Sequence, residues 1–247
     1  TELSENAVVI NNQLSPRNKN KELTGAGVVY QFCRYLDLKL GKSFADKYMD
    51  LAAWGIIGDM GSMLELENRY IVKEGLKNIN NKLLWALMEK QAYSITGAMS
   101  PSKQQLIDAM NPISVAFYIV PLVNAMIRVG TMDEKCRLFE AFLDGDKMIP
   151  SGKRGAKGTM ELLAVESARE CTNAKSRQDK RKEEIVGTLE ARIHKLGLLD
   201  NKILFMTLIK ELQINIVMSN YNQRSSSYSS NYDYLFLDNL EDSSFSN

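Results

Sequence analysis

Apolar and polar residues follow one another along this chain in blocks, and the period of each block assigns it an element. "NAVVINNQ" (6–13) sets a β-branched run between polar residues and reads as a strand leading into a loop. The loop "LSPRNKNKELTGAG" (14–27) is rich in cations and ends on Thr24 and two glycines. Thr24 is placed to cap a helix in which Val28, Phe32, Tyr35 and Leu36 share one face. "FADKYMDLAAWGII" (44–57) makes a second helix, with Tyr48, Leu51, Ala52 and 54–56 inward. "ENRYIVKEGLKNIN" (67–80) makes a third, through Ile71, Val72, Gly75, Leu76 and Ile79, and "NKLLWALMEKQAY" (81–93) a fourth. In "SPSKQQLIDAM" (100–110), Ser100 stands as a cap before Pro101 at the first helical position.

"ISVAFYIVPLVNAMIRVG" (113–130) is apolar and β-rich up to Pro121, then small-residue and punctuated. "DEKCRLFEAFLDGD" (133–146) is a helix that opens with acids, and "IPSGKRGAKGTM" (149–160) is a loop or hairpin. From 161 to 195 the pattern is one long, charged helix with intermittent apolar contacts at Leu162, Val165, Ala168, Thr172, Ile185, Leu189 and Ile193. Such a helix often bridges domains. "NKILFMTL" (201–208) reads as the first strand of a second unit. The Ser/Asn/Tyr-rich end (219–247) has no period and reads as mostly disordered.

Composition narrows the function. With 247 residues, 45% apolar and 25% charged, the chain can bury a real core. A formal net charge of +1 excludes a global basic field, so any nucleic-acid surface must be local. No signal peptide and no apolar run of membrane-spanning length is read, which gives a cytoplasmic expectation without a membrane partner. Cys33, Cys136 and Cys171 form no CxxC pair and read as reduced thiols. The single histidine, His194, excludes a self-contained two-histidine metal site. It ends a charged helix, where it suits the C-terminal dipole.

Three places could carry chemistry. In "LAAWGIIGDMGSM" Asp59 stands where an apolar segment ends, between Gly58 and, two residues on, Gly61. A carboxylate there suits a hard metal ion; a helix cap on the next turn is the equal alternative. In "YIVPLVNAMIRVGTM", Asn124 and Arg128 are four apart and share a face if the stretch is helical. The arginine could clamp a phosphate bidentately or pair with a nearby carboxylate. The "SGKRGAKG" loop carries Lys153, Arg154 and Lys157 on a glycine-rich backbone, which suits a phosphate chain as well as plain solvation. It lacks the order of a nucleotide P-loop. "KSRQDKRKEE" (175–184) alternates in sign and reads as a solvated salt-bridge face.

Four stretches, "ELTGAGVVYQF", "LAAWGIIGDMGSMLELENRYIVKEGL", "FYIVPLVNAMIRVG" and "SARECTNAKSRQDKRKEEI", together resemble the RecJ single-strand DNA exonucleases of the DHH phosphoesterase superfamily. They stand in that family's order and spacing over about residues 6–206, and the basic insertion at 153–157 is similar to phage-encoded members. The resemblance implies an α/β catalytic domain with a parallel sheet, of which this chain is the C-terminal, largely helical part. A long interdomain helix and a second, DHH-associated domain follow. It implies two manganese or magnesium ions that activate water and neutralise the phosphodiester. Nucleotides are expected to leave one at a time from the 5′ end of a single strand of DNA, in recombination, repair or replication.

Matched by position, Asp59 takes the place of the last metal-binding aspartate. Arg128 takes that of the phosphate-holding arginine, and Asn124 that of the asparagine before it. Two positions depart from the family pattern: Ile127 stands for a glycine and Leu122 for an arginine. The family's other ligands, including Asp-His-His, precede the segment equivalent to Ala7. A polypeptide carrying that half is therefore an expected partner. The expected organisation is 1–160 as the C-terminal part of the catalytic domain and 161–197 as the connecting helix. Residues 198–218 would start a truncated second domain, and 219–247 form the polar tail. The alternative is an inactive remnant that binds single strands or a replication partner.

Overall fold

The structure, a computed structural model, describes residues 6, 8–156, 158–195 and 197, and the backbone of two strands further on. The chain divides into two units, Thr1–Ile185 and Val186–Asn247.

The first unit is built from helices. α1 (Gly25–Leu40) starts on the Thr24 side chain, which accepts from the Gly27 N–H, and stops at Gly41 in the left-handed conformation. A 3₁₀ turn (Ala45–Tyr48) leads into α2 (Met49–Gly58), whose residues are apolar on nearly every side and therefore buried. α3 (Leu66–Lys77) buries Ile71, Val72, Gly75 and Leu76, the stripe its sequence period marks. Small residues let these helices close on one another. A Cβ on Gly55 of α2 would lie 2.3 Å from the Ala26 Cβ of α1. One on Gly75 of α3 would lie 2.6 Å from both the Ala53 Cβ and the Met49 carbonyl of α2.

The turn after α3 is fixed by a buried acid. Asp50 of α2 accepts from the backbone N–H groups of Asn80 (2.7 Å) and Asn81 (2.8 Å). Asn81 in turn caps α4 (Lys82–Lys90) and donates to the Phe142 carbonyl. α5 (Ala92–Thr96) and α6 (Lys103–Ala109) follow. The cap of α6 is Ser102 in a reciprocal box with Gln105, not the expected Ser100.

The stretch read as β-rich before Pro121 is helical. Asn111 caps Pro112 at the start of α7 (Pro112–Ser114), a π turn follows at Val115–Ile119, and α8 runs over Val120–Val129. The wider π turn absorbs Pro121, which has no N–H to give the helical ladder; the Val120 N–H reaches back to the Val115 carbonyl. Pro112–Val129 is thus one helix of 18 residues with mean hydropathy 1.6, long and apolar enough to cross a membrane. That corrects the expectation that no such run exists. Val115, Ile119, Leu122, Ala125 and Met126 of this helix lie in the core.

α9 (Met132–Leu143) opens with a Thr131–Glu134 capping box. The chain then forms an antiparallel hairpin, β1 (Met148–Pro150) with β2 (Met160–Leu162), and enters α10 (Leu163–Lys195). Ion pairs Arg137–Glu170 and Arg177–Glu134 fasten α9 along α10. Lys175–Asp179 is an i,i+4 pair, as the alternating charges imply. Cys171 is buried on α10, and burial pushes its thiol up to about 12.

In the second unit the described part of the chain pairs two strands antiparallel, β3 (Leu204–Leu208) with β4 (Ile214–Met218). The strand expected at 201–208 is present over its later residues. His194 stands exposed in the last turn of α10. The tail at 219–247 lies outside the described residues.

The expected parallel sheet is not found among the described residues, where both strand pairs are antiparallel and helices dominate. The β-branched run at residues 8–10 lies exposed outside any sheet, because an isolated strand has no partner for its backbone groups. The shared apolar face of α1 is only partly covered: Val28 packs against the core, while Phe32, Tyr35 and Leu36 are exposed. α1 buries Gly27 and Tyr30. Tyr48, expected inward, is also exposed.

Candidate functional site

Asp59 sits at the C-terminal end of α2, where its backbone N–H closes the helix on the Gly55 carbonyl at 3.1 Å. The side chain is exposed and has no hydrogen bond or ion pair among the described residues. The helix-cap alternative is not taken up: the N-cap residue of α3 is Glu65. A carboxylate at a helix C-terminus also opposes the dipole, at a cost of about 0.3–1 kcal/mol. Neither capping nor packing accounts for its place.

The turn around Asp59 is tightly built. Met60 takes a positive φ of 54°, in the region that L side chains rarely adopt. The Gly61 N–H bonds the Ile56 carbonyl at 2.8 Å. A Cβ on Gly61 would lie 2.9 Å from the Thr24 methyl and 3.0 Å from the Ile56 Cγ2, so the turn is pressed against the start of α1. Gly61, visible in the sequence beside Asp59, thus has a packing reason of its own.

α8 begins beside this turn. A Cβ on Gly58 would touch Val120 Cγ2 at 3.4 Å. Val120, Asn124 and Arg128 recur every four residues along one face of α8. The stripe therefore starts next to the Asp59 end of α2 and reaches Arg128 two turns later, about 12 Å along the helix. Asn124 and Arg128 are exposed, and neither side chain has a hydrogen bond or ion pair among the described residues. The arginine is not spent on a neighbouring carboxylate.

The basic loop is the turn of the β1–β2 hairpin. The Gly152 N–H donates to a Glu166 carboxylate oxygen at 3.1 Å, and a Cβ on Gly152 would lie 2.6 Å from the other oxygen. Arg169 bridges Glu161 and Glu166 at the hairpin root. Burial works to raise the Glu161 carboxyl, but the Ser151 hydroxyl and Arg169 outweigh it and hold it below its ordinary value. At the tip, Lys153 and Arg154 are exposed, and Gly155 and Gly158 take positive φ. Lys157 lies outside the described residues. No hydrogen bond or ion pair joins this tip to Asp59, Asn124 or Arg128 among the described residues.

Two features escaped the sequence reading. One is a buried chain of asparagines, Asn12, Asn20 and Asn68, at the foot of α3. Its signal is Asn68 at the third helical position of α3, where a capping box carries Glu or Gln. The other is a groove of about 680 Å³ between residues 9–18 and the exposed face of α1, lined by Val9, Ile10, Val28, Phe32 and Tyr35. None of the site residues lines it. Among the described residues no group of three or more His, Cys, Asp or Glu could hold a metal ion. Asp59 thus fits one ligand, and the described residues do not by themselves make a metal site.

No protein-family model matches the chain. It is 39% identical over 206 residues to the SPbeta prophage-derived protein YorK of Bacillus subtilis, named as a single-strand DNA-specific exonuclease. That match covers 83% of this chain and 34% of YorK. It is 33% identical over 132 residues to the single-stranded-DNA-specific exonuclease RecJ of Thermus thermophilus, covering 53% of this chain and 18% of that protein. The fold is similar to a crystal structure of exonuclease RecJ bound to manganese. There the TM-score is 0.53 and the identity 28%, over 73% of this chain and 39% of that one. This chain is RecJ-like. The RecJ-like chain spans about a third or less of the length of the curated relatives it matches. Its helical character agrees with the largely helical part the resemblance assigns to it.

Proposed function

We propose that this RecJ-like chain is part of a metal-dependent exonuclease that acts on single-stranded DNA from the 5′ end in the cytoplasm, with phage-encoded relatives. The observation that carries the proposal is Asp59: an unpartnered carboxylate at the unfavourable end of a helix, on a strained turn. In this reading residues 1–160 are the C-terminal part of a DHH catalytic domain. Residues 161–197 are its connecting helix, and 198–218 open a DHH-associated domain.

Asp59 supplies one ligand to a manganese or magnesium site whose remaining ligands come from a polypeptide carrying the Asp-His-His half. When bound, the metals activate water and neutralise the phosphodiester. The chain's own part is to hold the strand. Arg128 offers a forked pair of donors to a phosphate, and Asn124, one turn nearer Asp59, offers an amide. Lys153, Arg154 and Lys157 contact the backbone further along without reading sequence.

The test is to mix the chain with such a polypeptide and follow manganese-dependent release of nucleotides from 5′-labelled single strands. We expect release that Asp59→Ala abolishes and Arg128→Ala lowers by about 10–100-fold, the loss of a charge-assisted contact. No release with any such complement, or release indifferent to Asp59→Ala, overturns the proposal.

A second reading follows from the lack of a metal-holding cluster among the described residues: alone, the chain binds single strands or a replication partner without cutting. It requires binding that falls with salt, by roughly 0.7 log units in affinity per log unit of salt for each phosphate neutralised. Arg128→Ala or Lys153→Ala should weaken it. No binding at low salt counts against this reading.

A further inference from the structure

We propose that Asn68 is a positioning residue that fixes the turn carrying Asp59; the functional part of this inference rests on the reading of Asp59 as a metal ligand. Asn68 is fully buried at the third residue of α3, counting from the N-cap Glu65. In a capping box the residue at that place accepts from the N-cap N–H. Asn68 instead donates. Its Nδ2 gives one hydrogen to the Ser62 carbonyl at 3.0 Å and the other to the Glu22 carbonyl at 3.1 Å. Its Oδ1 accepts from the Asn20 amide at 3.0 Å. Both donors and the acceptor are engaged, so the side chain has one orientation and the three segments it touches have one arrangement.

Ser62 is three residues after Asp59. The near side of the same turn is held by Met60 and Gly61, whose N–H groups bond Ile57 and Ile56. The Asp59 turn is therefore pinned at both ends, to α2 by backbone and to α3 by Asn68. The far side of the network is as firm. Asn20 also donates to Glu67 at 2.8 Å, and Glu67 accepts from Gln31 of α1 at 2.6 Å. Asn12 donates to the Lys21 and Leu23 carbonyls, both at 3.0 Å. The loop before α1 is thereby folded against the foot of α3, and Asn68 passes that fixed frame to the turn. An apolar residue would fill the space but take this partner from the part-buried Glu22 and Ser62 carbonyls and from the buried Asn20 amide.

Hydrogen exchange on the full chain tests this without any need for activity. Protection of the amides at 59–64 is compared with that at 83–88 in α4, the internal reference for global stability. Asn68→Ala should lower protection of the turn by about tenfold or more relative to α4, from the loss of buried hydrogen bonds. Asn68→Asp keeps the shape but has no donor when ionised. It should act at least as strongly, and recover in part at acid pH, where a neutral carboxyl donates once. Turn and reference moving in step in both variants would mean a structural role only and would overturn the proposal. If Asn68→Ala does not fold, Asn20→Ala, which frees Oδ1, is read in the same way.

With the complementing polypeptide present, Asn68→Ala should raise the manganese concentration for half-maximal release about tenfold and leave the KM for the strand unchanged. A changed KM with an unchanged manganese requirement overturns the link to Asp59. Loosening of the turn in a chain that shows no release in any mixture would sink the exonuclease reading while the positioning role stands.

Discussion

α3 and α1 both pack against α2, and they do so with opposite kinds of face. α3 turns its large apolar stripe inward: Ile71 is 1% exposed, with Val72 and Leu76 beside it. α1 meets α2 through small residues, Ala26 against Gly55, and apart from the buried Tyr30 leaves most of its large ones outside, with Phe32 42% and Leu40 69% exposed. The apolar period along a helix tells which face gains from burial. It does not tell whether a surface to cover that face is at hand. Where two small residues meet, backbones approach closely, and that contact decides the rotation of α1 against the preference of its larger side chains.

Truncation should separate the two faces most strongly. Ile71→Ala removes a buried side chain and should cost about 2–5 kcal/mol in urea unfolding. Phe32→Ala and Leu36→Ala should each cost less than about 1 kcal/mol, because little area leaves water at those sites. Equal costs at Ile71 and Phe32 would break the contrast and mean that the α1 stripe is buried in solution.

The glycines provide a second separation. Gly75→Ala forces a Cβ to 2.6 Å from Ala53 and the Met49 carbonyl. It should destabilise by about 1–3 kcal/mol through the parting of α2 and α3. Gly25→Ala in α1 meets nothing within 4 Å and should stabilise by up to about 1 kcal/mol. A melting series on these two variants reads the sign of each.

These contrasts also mark what the sequence made legible. Local signals held where the chemistry was local. Thr24 caps α1, the 71–76 stripe is buried, and the charged run at 175–184 carries an i,i+4 pair. The failures share a cause. The strand expected at 8–10 and the β-rich reading before Pro121 follow from residue type, but their outcome depends on partners. Residues 8–10 find no strand among the described residues, and Val115 and Ile119 find a helical core instead. For the candidate site, the sequence could point to Asp59 and Arg128 by composition and spacing. It could not show that both side chains are unpartnered among the described residues, nor that the face of α8 shared by Asn124 and Arg128 begins, at Val120, against Gly58. Asn68 was hidden for a further reason: its role is a set of hydrogen bonds to carbonyls 6 and 46 residues away.

Charged contact should matter less than packed contact, and the α9–α10 pair can measure by how much. Burial works to raise the Glu134 carboxyl, but the Thr131 N–H and Arg177 prevail and hold it below the ordinary value of 4.5. A depressed carboxyl contributes stability above its unfolded value, and that contribution is lost as pH falls through the folded one. Glu134→Gln should therefore cost about 0.5–1 kcal/mol at pH 7 and progressively less below about pH 4.5. A cost that stays constant with pH would assign the effect to the cap at Thr131 rather than to the ion pair.

The smallest expected effect has the opposite sign. Asp59 lies at the junction between the two packed faces, at the end of α2 and before α3 begins. Its carboxylate opposes the helix dipole and has no compensating partner among the described residues. Asp59→Asn keeps the shape and removes the charge, so it should stabilise the chain by about 0.3–1 kcal/mol, seen as a raised urea midpoint with unchanged m. In the complemented exonuclease the same substitution should abolish nucleotide release. A residue whose replacement helps the fold and ends the activity is held in place by chemistry, not by packing. A destabilised Asp59→Asn would show instead that the carboxylate serves the turn, and would return Asp59 to a structural role.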